Sequence, residues 1–282
     1  PFTFVATVEV IMLLKLKTVF DDINSYDFTI DSAQIEKAIT RRTRAIIPVH
    51  LFGACCDMGK IKQIADKYNL YIIEDVCQSL GTKWNSANNF ENDEFAGTIV
   101  DIGCTSFFPT KNLGGYGDGG AIFVRDKELF ERVRMIANHG SRIKYFYETV
   151  GVNSRLDEIQ AAILSVKLKY LKNYIFKRRY VAEKYNKLLD ENFIPLIIPR
   201  RILKDSKIDD RYLHTFNQYT IRIKNRNKLK SYLSSYFIPS MIYYPLPLHL
   251  HDAYKCLGYK EGDFPVSELM SKEVLSLPMH PY

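Results

Sequence analysis

Two residues carry the chemistry this chain can offer. In Thr105-Ser106-Phe107-Phe108-Pro109-Thr110-Lys111-Asn112-Leu113-Gly114-Gly115-Tyr116-Gly117, a single lysine stands between an apolar, strand-like run and a glycine-rich loop. An ε-amino group becomes a nucleophile when burial or a neighbouring cation lowers its pKa, and it then condenses with aldehydes. Glycines let the backbone approach a flat ligand closely. Read alone, the segment is equally a glycine-rich turn with a solvated lysine. A second stretch, LYIIEDVCQS from Leu70 to Ser79, is a buried-strand pattern whose apolar run ends in acid. Pyridoxal 5′-phosphate needs such a pair. Its ring withdraws electrons only while the pyridine nitrogen stays protonated, so a carboxylate faces that nitrogen while a lysine holds the aldehyde. Asp75 and Lys111 are the right types for these two roles; the bland account of Asp75 is a helix cap or a solvated loop acid.

The elements that must position this pair read as α/β layering, short apolar runs alternating with helical patterns, which predicts crossover units and a mainly parallel sheet. The pattern predicts a helix over Val8–Leu14, a strand over Thr18–Ile23, a helix over Ser32–Thr40, a strand over Ala45–Leu51, a helix over Asp57–Tyr68 and a strand over Leu70–Asp75. Asp31-Ser32 and Asp57 are natural helix caps and need no catalytic role. Asn85–Phe95, rich in Asn, Asp and Glu, reads as a surface loop, and Ile102–Phe107 returns to strand character. Beyond the lysine loop, Ala121–Val124 reads as a strand and Asp126–Ala137 as a helix. A longer helix follows, in which Leu156, Ile159, Ile163, Val166, Tyr170 and Tyr174 recur every three or four residues, as core positions would. The charged stretch Lys177–Lys187 prolongs it toward a smaller domain beginning near Phe193. There His214–Ile223 reads as a strand, Arg226–Tyr236 as a helix and Met241–Leu248 as an irregular, proline-bearing segment. No internal repeat or low-complexity linker marks the division.

With 282 residues, 46% of them hydrophobic, the chain can bury a substantial core as one large domain or a large and a small one. No run approaches the roughly 18 uninterrupted apolar residues of a membrane span, and the first residues lack the layout of a signal peptide, so a cytoplasmic protein is expected. Cys55, Cys56, Cys77, Cys104 and Cys256 are odd in number and without CxxC spacing, which favours buried free thiols over disulfides or a metal site. The net charge of +7 comes from scattered lysines and arginines. It reads as solvated surface that can also attract an anionic ligand, and no nucleic-acid-binding motif accompanies it. The glycines after Lys111 do not form GxGxxG between a strand and a helix, which argues against a dinucleotide-binding oxidoreductase.

The segments PVHLFG (48–53), IIEDVCQS (72–79), TSFFPTKNLGGYGDGGAIF (105–123), RMIANHG (134–140) and VGVNSRLDEIQAAIL (150–164) resemble, in order, those of the DegT-type nucleotide-sugar aminotransferases. The resemblance runs from Phe2 to about Tyr282. It implies the aspartate-aminotransferase fold (fold type I): a PLP-binding large domain over residues 1–190 and a smaller C-terminal α+β domain over 191–282. Within the family the chain is most similar to enzymes that aminate C3 of a UDP-linked 2-acetamido-2-deoxy-3-keto-glucuronate, with glutamate as amino donor, for cell-surface polysaccharides such as lipopolysaccharide O-antigen. A 4-keto-6-deoxy nucleotide sugar is the alternative substrate. The sequence opens on Pro1 without an initiator methionine, whereas family members carry an earlier segment that grips the cofactor phosphate and usually continue past this C-terminus into a final helix. The expectation is therefore a piece of a longer chain, and a catalytically silent relative is a rival reading.

The resemblance also implies roles for individual residues. Lys111 matches the lysine that binds the cofactor's aldehyde and then moves the proton between the amino donor and the cofactor. Asp75 matches the carboxylate beside the pyridine nitrogen. Gln78 matches a residue near the phenolic oxygen, Phe4 an aromatic stacked on the ring, and Ser106 a hydroxyl donating to the phosphate. Asn153 matches an asparagine that reaches the partner subunit's cofactor phosphate, which implies a homodimer with shared active sites. Arg155 matches a residue that meets the acidic part of the sugar. Tyr243 and Tyr244 occupy the segment that closes over the sugar from the neighbouring subunit. Tyr243 stands where the uronate enzymes usually show histidine, a departure that bears on which sugar is used. Relatives that dehydrate sugars carry histidine in place of Lys111, so the lysine favours amino transfer.

Overall fold

The computed structural model describes residues 1–84, 94–191 and 212–282. Its first half contains helix α1 (Ala6–Leu13), the single turn α2 (Ile35–Ala38), strand β1 (Ala45–Ile46), helix α3 (Met58–Tyr68), strand β2 (Tyr71–Asp75), the short strands β3 (Lys83–Trp84) and β4 (Glu94–Phe95), and strands β5 (Ile102–Ser106) and β6 (Gly120–Val124). Helix α4 (Lys127–Ala137), strands β7 (Ser141–Ile143) and β8 (Phe146–Tyr147), and helices α5 (Glu158–Leu168) and α6 (Leu171–Glu191) follow. Strands β9 (Tyr212–Leu213) and β10 (Tyr219–Arg222), helices α7 (Arg226–Ser235) and α8 (Pro265–Glu273) and strand β11 (Val274–Leu277) complete it. The main sheet has the order β1-β2-β5-β6. Its first three strands are parallel, and β6 returns antiparallel to β5. That is the expected α/β architecture with an antiparallel edge. The crossover α3 lays Met58, Ile61, Ile64 and Ala65 against Ile46, Ile72 and Val76 of the sheet in one buried cluster. Asp57 caps α3 by accepting from the Lys60 amide at 3.2 Å, and Asp126 caps α4 by accepting from Leu129 at 2.7 Å.

Several expectations are corrected. Thr18–Ile23 forms no strand; only Ile23 bridges to Ile30. Asp22 is committed elsewhere, accepting from the Val266 and Ser267 amides at the start of α8. Ser32–Thr40 condenses to the four residues of α2. The run Ala45–Leu51 stops pairing after Ile46 and resumes as a single bridge from Val49 to Asp75, because Pro48 has no N–H to give and only its carbonyl is used, by the Asp75 amide at 2.9 Å. Residues 85–93 of the expected Asn85–Phe95 loop lie outside the described residues, and Glu94–Phe95 pairs with β3 as β4. The long helix is two helices, and its expected core stripe is in part a surface: Ile159 is 74% exposed, Val166 59% and Tyr170 53%. Cys55 and Cys56 are buried free thiols as expected, but Cys256 is exposed. Among the described residues no helix is long and apolar enough to cross a membrane, and no group of His, Cys, Asp and Glu side chains is placed to hold a metal ion.

The C-terminal part pairs β10 with β11 antiparallel and packs α6 against them through Ala182, Tyr219, Ile221 and Leu275. The expected start of a smaller domain near Phe193 lies outside the described residues. Residues 214–218 lie directly on the large sheet's loops. Thr215 donates its amide to the Gly53 carbonyl at 3.0 Å, and Gln218 donates to Phe52 at 3.1 Å. Met270 and Val274 share a cluster with Phe2, Phe28, Leu51 and Phe52.

One buried polar network governs where β2 ends. Glu74 is fully buried and accepts from His50 Nε2 at 2.9 Å and from the amides of Gly97 (2.8 Å), Ile99 (2.9 Å) and Val100 (3.2 Å). His50 Nδ1 accepts from the Cys56 amide at 3.1 Å, so the ring proton sits on Nε2 and points at the carboxylate. The Gly97 turn has φ +90°, and a Cβ on Gly103 would lie 2.0 Å from the Gly97 carbonyl, so both positions require glycine. Burial pushes the Glu74 carboxyl up, but the hydrogen bonds from His50 and the backbone outweigh it and hold the group below its ordinary 4.5. A depressed carboxyl contributes stability that is fully present above the unfolded value and is lost as pH falls through the folded one. Glu74→Gln turns an amide N–H₂ toward a set of donors. It is expected to lower unfolding free energy by about 3 kcal/mol at neutral pH and to flatten the acid limb below pH 4.5, as read by urea denaturation across pH.

Candidate active site

Asp75 is the last residue of β2 and sits opposite Cys104 of β5, with Glu74 opposite Gly103. Because successive side chains on a strand alternate faces, burying Glu74 on one side sends Asp75 to the other. Both strands are parallel and end at the same edge of the sheet, where open α/β sheets place their ligands. The half-buried Asp75 carboxylate accepts from Thr7 Oγ1 on α1 at 2.7 Å through Oδ2 and from the Cys77 amide at 3.1 Å through Oδ1. No ion pair joins it to a cation among the described residues.

Lys111 follows the C-terminal end of β5 in a turn closed by its own amide on the Phe108 carbonyl at 2.9 Å. The loop is stitched at its neck, where Phe107 donates to Gly119 and accepts from Gly115, both at 2.7 Å. Buried Asn112, the next residue, donates through Nδ2 to the Leu80 carbonyl at 3.1 Å and to Thr215 Oγ1 at 3.0 Å. Helix α5 fixes the glycine run from the other side: Gln160 Oε1 accepts from the Tyr116 amide at 2.7 Å, and Lys167 donates to the Gly114 carbonyl. A Cβ on Gly115 would lie 2.7 Å from that glutamine oxygen, so a larger residue there would push the Gln160 side chain off the Tyr116 amide. The loop is therefore anchored on both sides of a half-buried lysine that has no ion pair among the described residues.

The half-buried Cys77 thiol reports how near the two charges are. Burial pushes its pKa up, the Asp75 carboxylate adds to the rise, and the Lys111 ammonium opposes it. Cys104 is pushed up to about 11 by burial and by Asp75. A carboxylate and an amine at the same sheet edge, neither in an ion pair among the described residues, are the groups that a pyridine nitrogen and an aldehyde require, so the residues fit pyridoxal 5′-phosphate. Gln78 accepts from the Phe52 amide at 2.9 Å and donates to the Tyr244 hydroxyl at 3.0 Å. Burial raises the Tyr244 phenol, the bond from Gln78 lowers it in part, and the Asp75 charge adds to the rise. Tyr244 thus lies beside Asp75 and Gln78 of its own chain, where the resemblance implies a segment serving the neighbouring subunit. The Phe4 ring stands 6.4 Å from that of Tyr244 and is 53% exposed, an open aromatic face at the site. Tyr243 packs edge-on against Tyr244, with ring centroids 5.8 Å apart. Ser106 Oγ, at the end of β5, accepts from the Phe108 amide at 3.1 Å.

Asn153 and Arg155 stand apart. Both are exposed, Arg155 Nε donates to Asn153 Oδ1 at 3.0 Å, and Asn153 bridges to Asn138. Among the described residues no hydrogen bond joins either to Asp75, Gln78, Ser106 or Lys111. Sequence reasoning missed Thr7, Cys77, Asn112, Gln160 and Lys167. Of these, Asn112 beside the lysine and Cys77 two residues after Asp75 carried a local signal, whereas Thr7, Gln160 and Lys167 come from elements whose approach is tertiary.

The DegT/DnrJ/EryC1/StrS aminotransferase family matches residues 1–282. The chain belongs to that family. It is a pyridoxal-phosphate-dependent aminotransferase of fold type I. Over 99% of its length it is 47% identical to a Geobacillus stearothermophilus protein named as a pleiotropic regulatory protein, covering 72% of that protein. Over its whole length it is 40% identical to the UDP-2-acetamido-2-deoxy-3-oxo-D-glucuronate aminotransferase of Pseudomonas aeruginosa, covering 73% of it. The crystal structure of a DegT/DnrJ/EryC1/StrS aminotransferase from Brucella abortus superposes with a TM-score of 0.89 at 38% identity, over 100% of this chain and 73% of that one. In this aminotransferase the anchoring of the lysine loop has a direct test. Asn112→Ala removes two buried hydrogen bonds and is expected to cost about 1–3 kcal/mol and to speed hydrogen exchange across residues 107–119, as followed by mass spectrometry.

Proposed function

We propose that the protein moves an amino group from glutamate to the keto carbon of a nucleotide sugar, with UDP-2-acetamido-2-deoxy-3-keto-glucuronate as its substrate, in the cytoplasmic assembly of a cell-surface polysaccharide such as an O-antigen. The observation that carries this reading is the placing of Asp75 at the end of β2 and of Lys111 in the turn after the neighbouring parallel strand β5, neither of them in an ion pair among the described residues. Bound there, pyridoxal phosphate supplies an electron sink for the pair released when a proton leaves the donor's Cα. With the cofactor bound, Asp75 would hold the ring nitrogen, Lys111 would hold the aldehyde and move the proton, and Phe4, Gln78 and Ser106 would bind the ring, its phenolic side and the phosphate. Similar proteins support amination at C3: one is named a UDP-N-acetyl-3-dehydro-α-D-glucosamine 3-aminotransferase, and another a dTDP-3-amino-3,4,6-trideoxy-α-D-glucose transaminase. Arg155, and Tyr243 with Tyr244, are assigned to the sugar.

Incubating the protein with glutamate and a panel of UDP- and dTDP-keto sugars, while following 2-oxoglutarate release, tests the substrate. The UDP-3-keto uronate is expected to turn over fastest, and preference for a 4-keto-6-deoxy sugar would overturn that choice. Lys111→Ala is expected to lower kcat by at least about a hundredfold and to abolish the visible absorption of the bound cofactor.

We further propose a homodimer with shared active sites. Val150 (94% exposed) and Ile159 (74%) are exposed apolar side chains on the stretch that carries exposed Asn153, and Tyr116 (78%) sits in the lysine loop that Gln160 of the same stretch holds. A partner's surface over this patch buries it and turns Asn153 toward the other subunit's phosphate. Sedimentation velocity is expected to show a dimer that Ile159→Lys converts to monomer with loss of turnover; an unchanged dimer would place the interface elsewhere.

A further inference from the structure

Thr7 reaches Asp75 from a different element. It lies on α1, next to Val8, which anchors the helix in the cluster around Phe20, Leu248 and Phe264. A helical threonine commonly turns its hydroxyl back onto the preceding turn's carbonyl, but Thr7 Oγ1 spans 68 residues of sequence to donate to Asp75 Oδ2 at 2.7 Å. The Cys77 amide takes the other oxygen at 3.1 Å. A carboxylate with one donor on each oxygen has a fixed plane and still keeps one lone pair per oxygen for a further partner.

We propose that Thr7 is a positioning residue for the cofactor: its hydroxyl, with the Cys77 amide, fixes the plane of the Asp75 carboxylate so that it would meet the pyridine nitrogen. The proposal rests on Asp75 being that nitrogen's partner. Nothing else in α1 does this work, because Phe4 precedes the helix and covers the ring, while Val8 faces the core. Removing the hydroxyl leaves the carboxylate plane held by the Cys77 amide alone. A misaligned carboxylate would hold less positive charge on the ring of a bound cofactor, which would then withdraw electrons less strongly.

The test uses holoenzyme of the wild type and of Thr7→Val, Thr7→Ser, Asp75→Asn and the Thr7→Val/Asp75→Asn double variant. It follows the pH titration of the bound cofactor's visible absorption and its dissociation constant. Thr7→Val, which keeps the shape of the side chain, is expected to move the titration midpoint upward by about one pH unit and to weaken pyridoxal phosphate binding about tenfold. Thr7→Ser is expected to behave as wild type. In the Asp75→Asn background, Thr7→Val is expected to add no further shift, since its effect runs through the carboxylate. An unshifted Thr7→Val, a Thr7→Ser as shifted as Thr7→Val, or a shift that persists without Asp75 overturns the proposal. An Asp75→Asn enzyme with wild-type titration overturns the assignment of Asp75 itself, so the two failures are told apart.

Discussion

The site depends on Glu74 being held in the core. Its carboxylate is surrounded by donors from His50, Gly97, Ile99 and Val100, and those bonds fix which face of β2 turns inward. Asp75, one residue later, therefore points to the opposite face at the strand's last position. A one-residue slip would put the wrong acid at the sheet edge. The network resists that slip because a charge left in the core without its donors costs several kcal/mol. The pairing of Asp75 with Cys104 then sets the second strand in register and delivers the lysine loop to the same edge.

Much of this was legible in the sequence, for identifiable reasons. The strands β2, β5 and β6 and the helices α3 and α4 carry hydrophobic periods or caps that no tertiary contact overrides, and they lie within a residue or two of where pattern places them. Asp75 and Lys111 stood out because their chemistry is scarce: an acid closing an apolar strand, and a lysine leading a glycine run. What failed was set by context. Thr18–Ile23 has strand-like composition, but Asp22 is taken by α8, nearly the whole chain away. Leu156, Ile159 and Val166 have the spacing of a core helix but lie on the surface, because helical period marks an apolar face without saying whether the same chain covers it.

The network around Asp75 and the lysine loop was the least visible. Thr7, Gln160 and Lys167 are ordinary helix residues by type and neighbourhood. Each acts through one polar contact with a segment distant in sequence: Thr7 on Asp75, Gln160 on Tyr116, Lys167 on Gly114. Gln78 was assigned to the cofactor by resemblance, and its contact with the Tyr244 hydroxyl adds that residue 244 belongs to the same cluster within one chain.

Thr215 ties three parts of the molecule at one point. Its amide is held by the Gly53 carbonyl, and its hydroxyl meets both Thr82 and Asn112. Any swing of the C-terminal layer against the sheet must therefore pivot about this residue or pull on the neighbour of the lysine. The C-terminal layer is thereby fastened to the residue that follows Lys111 by the bond from Asn112 to Thr215, and to the sheet's loops by the bond from Thr215 to Gly53.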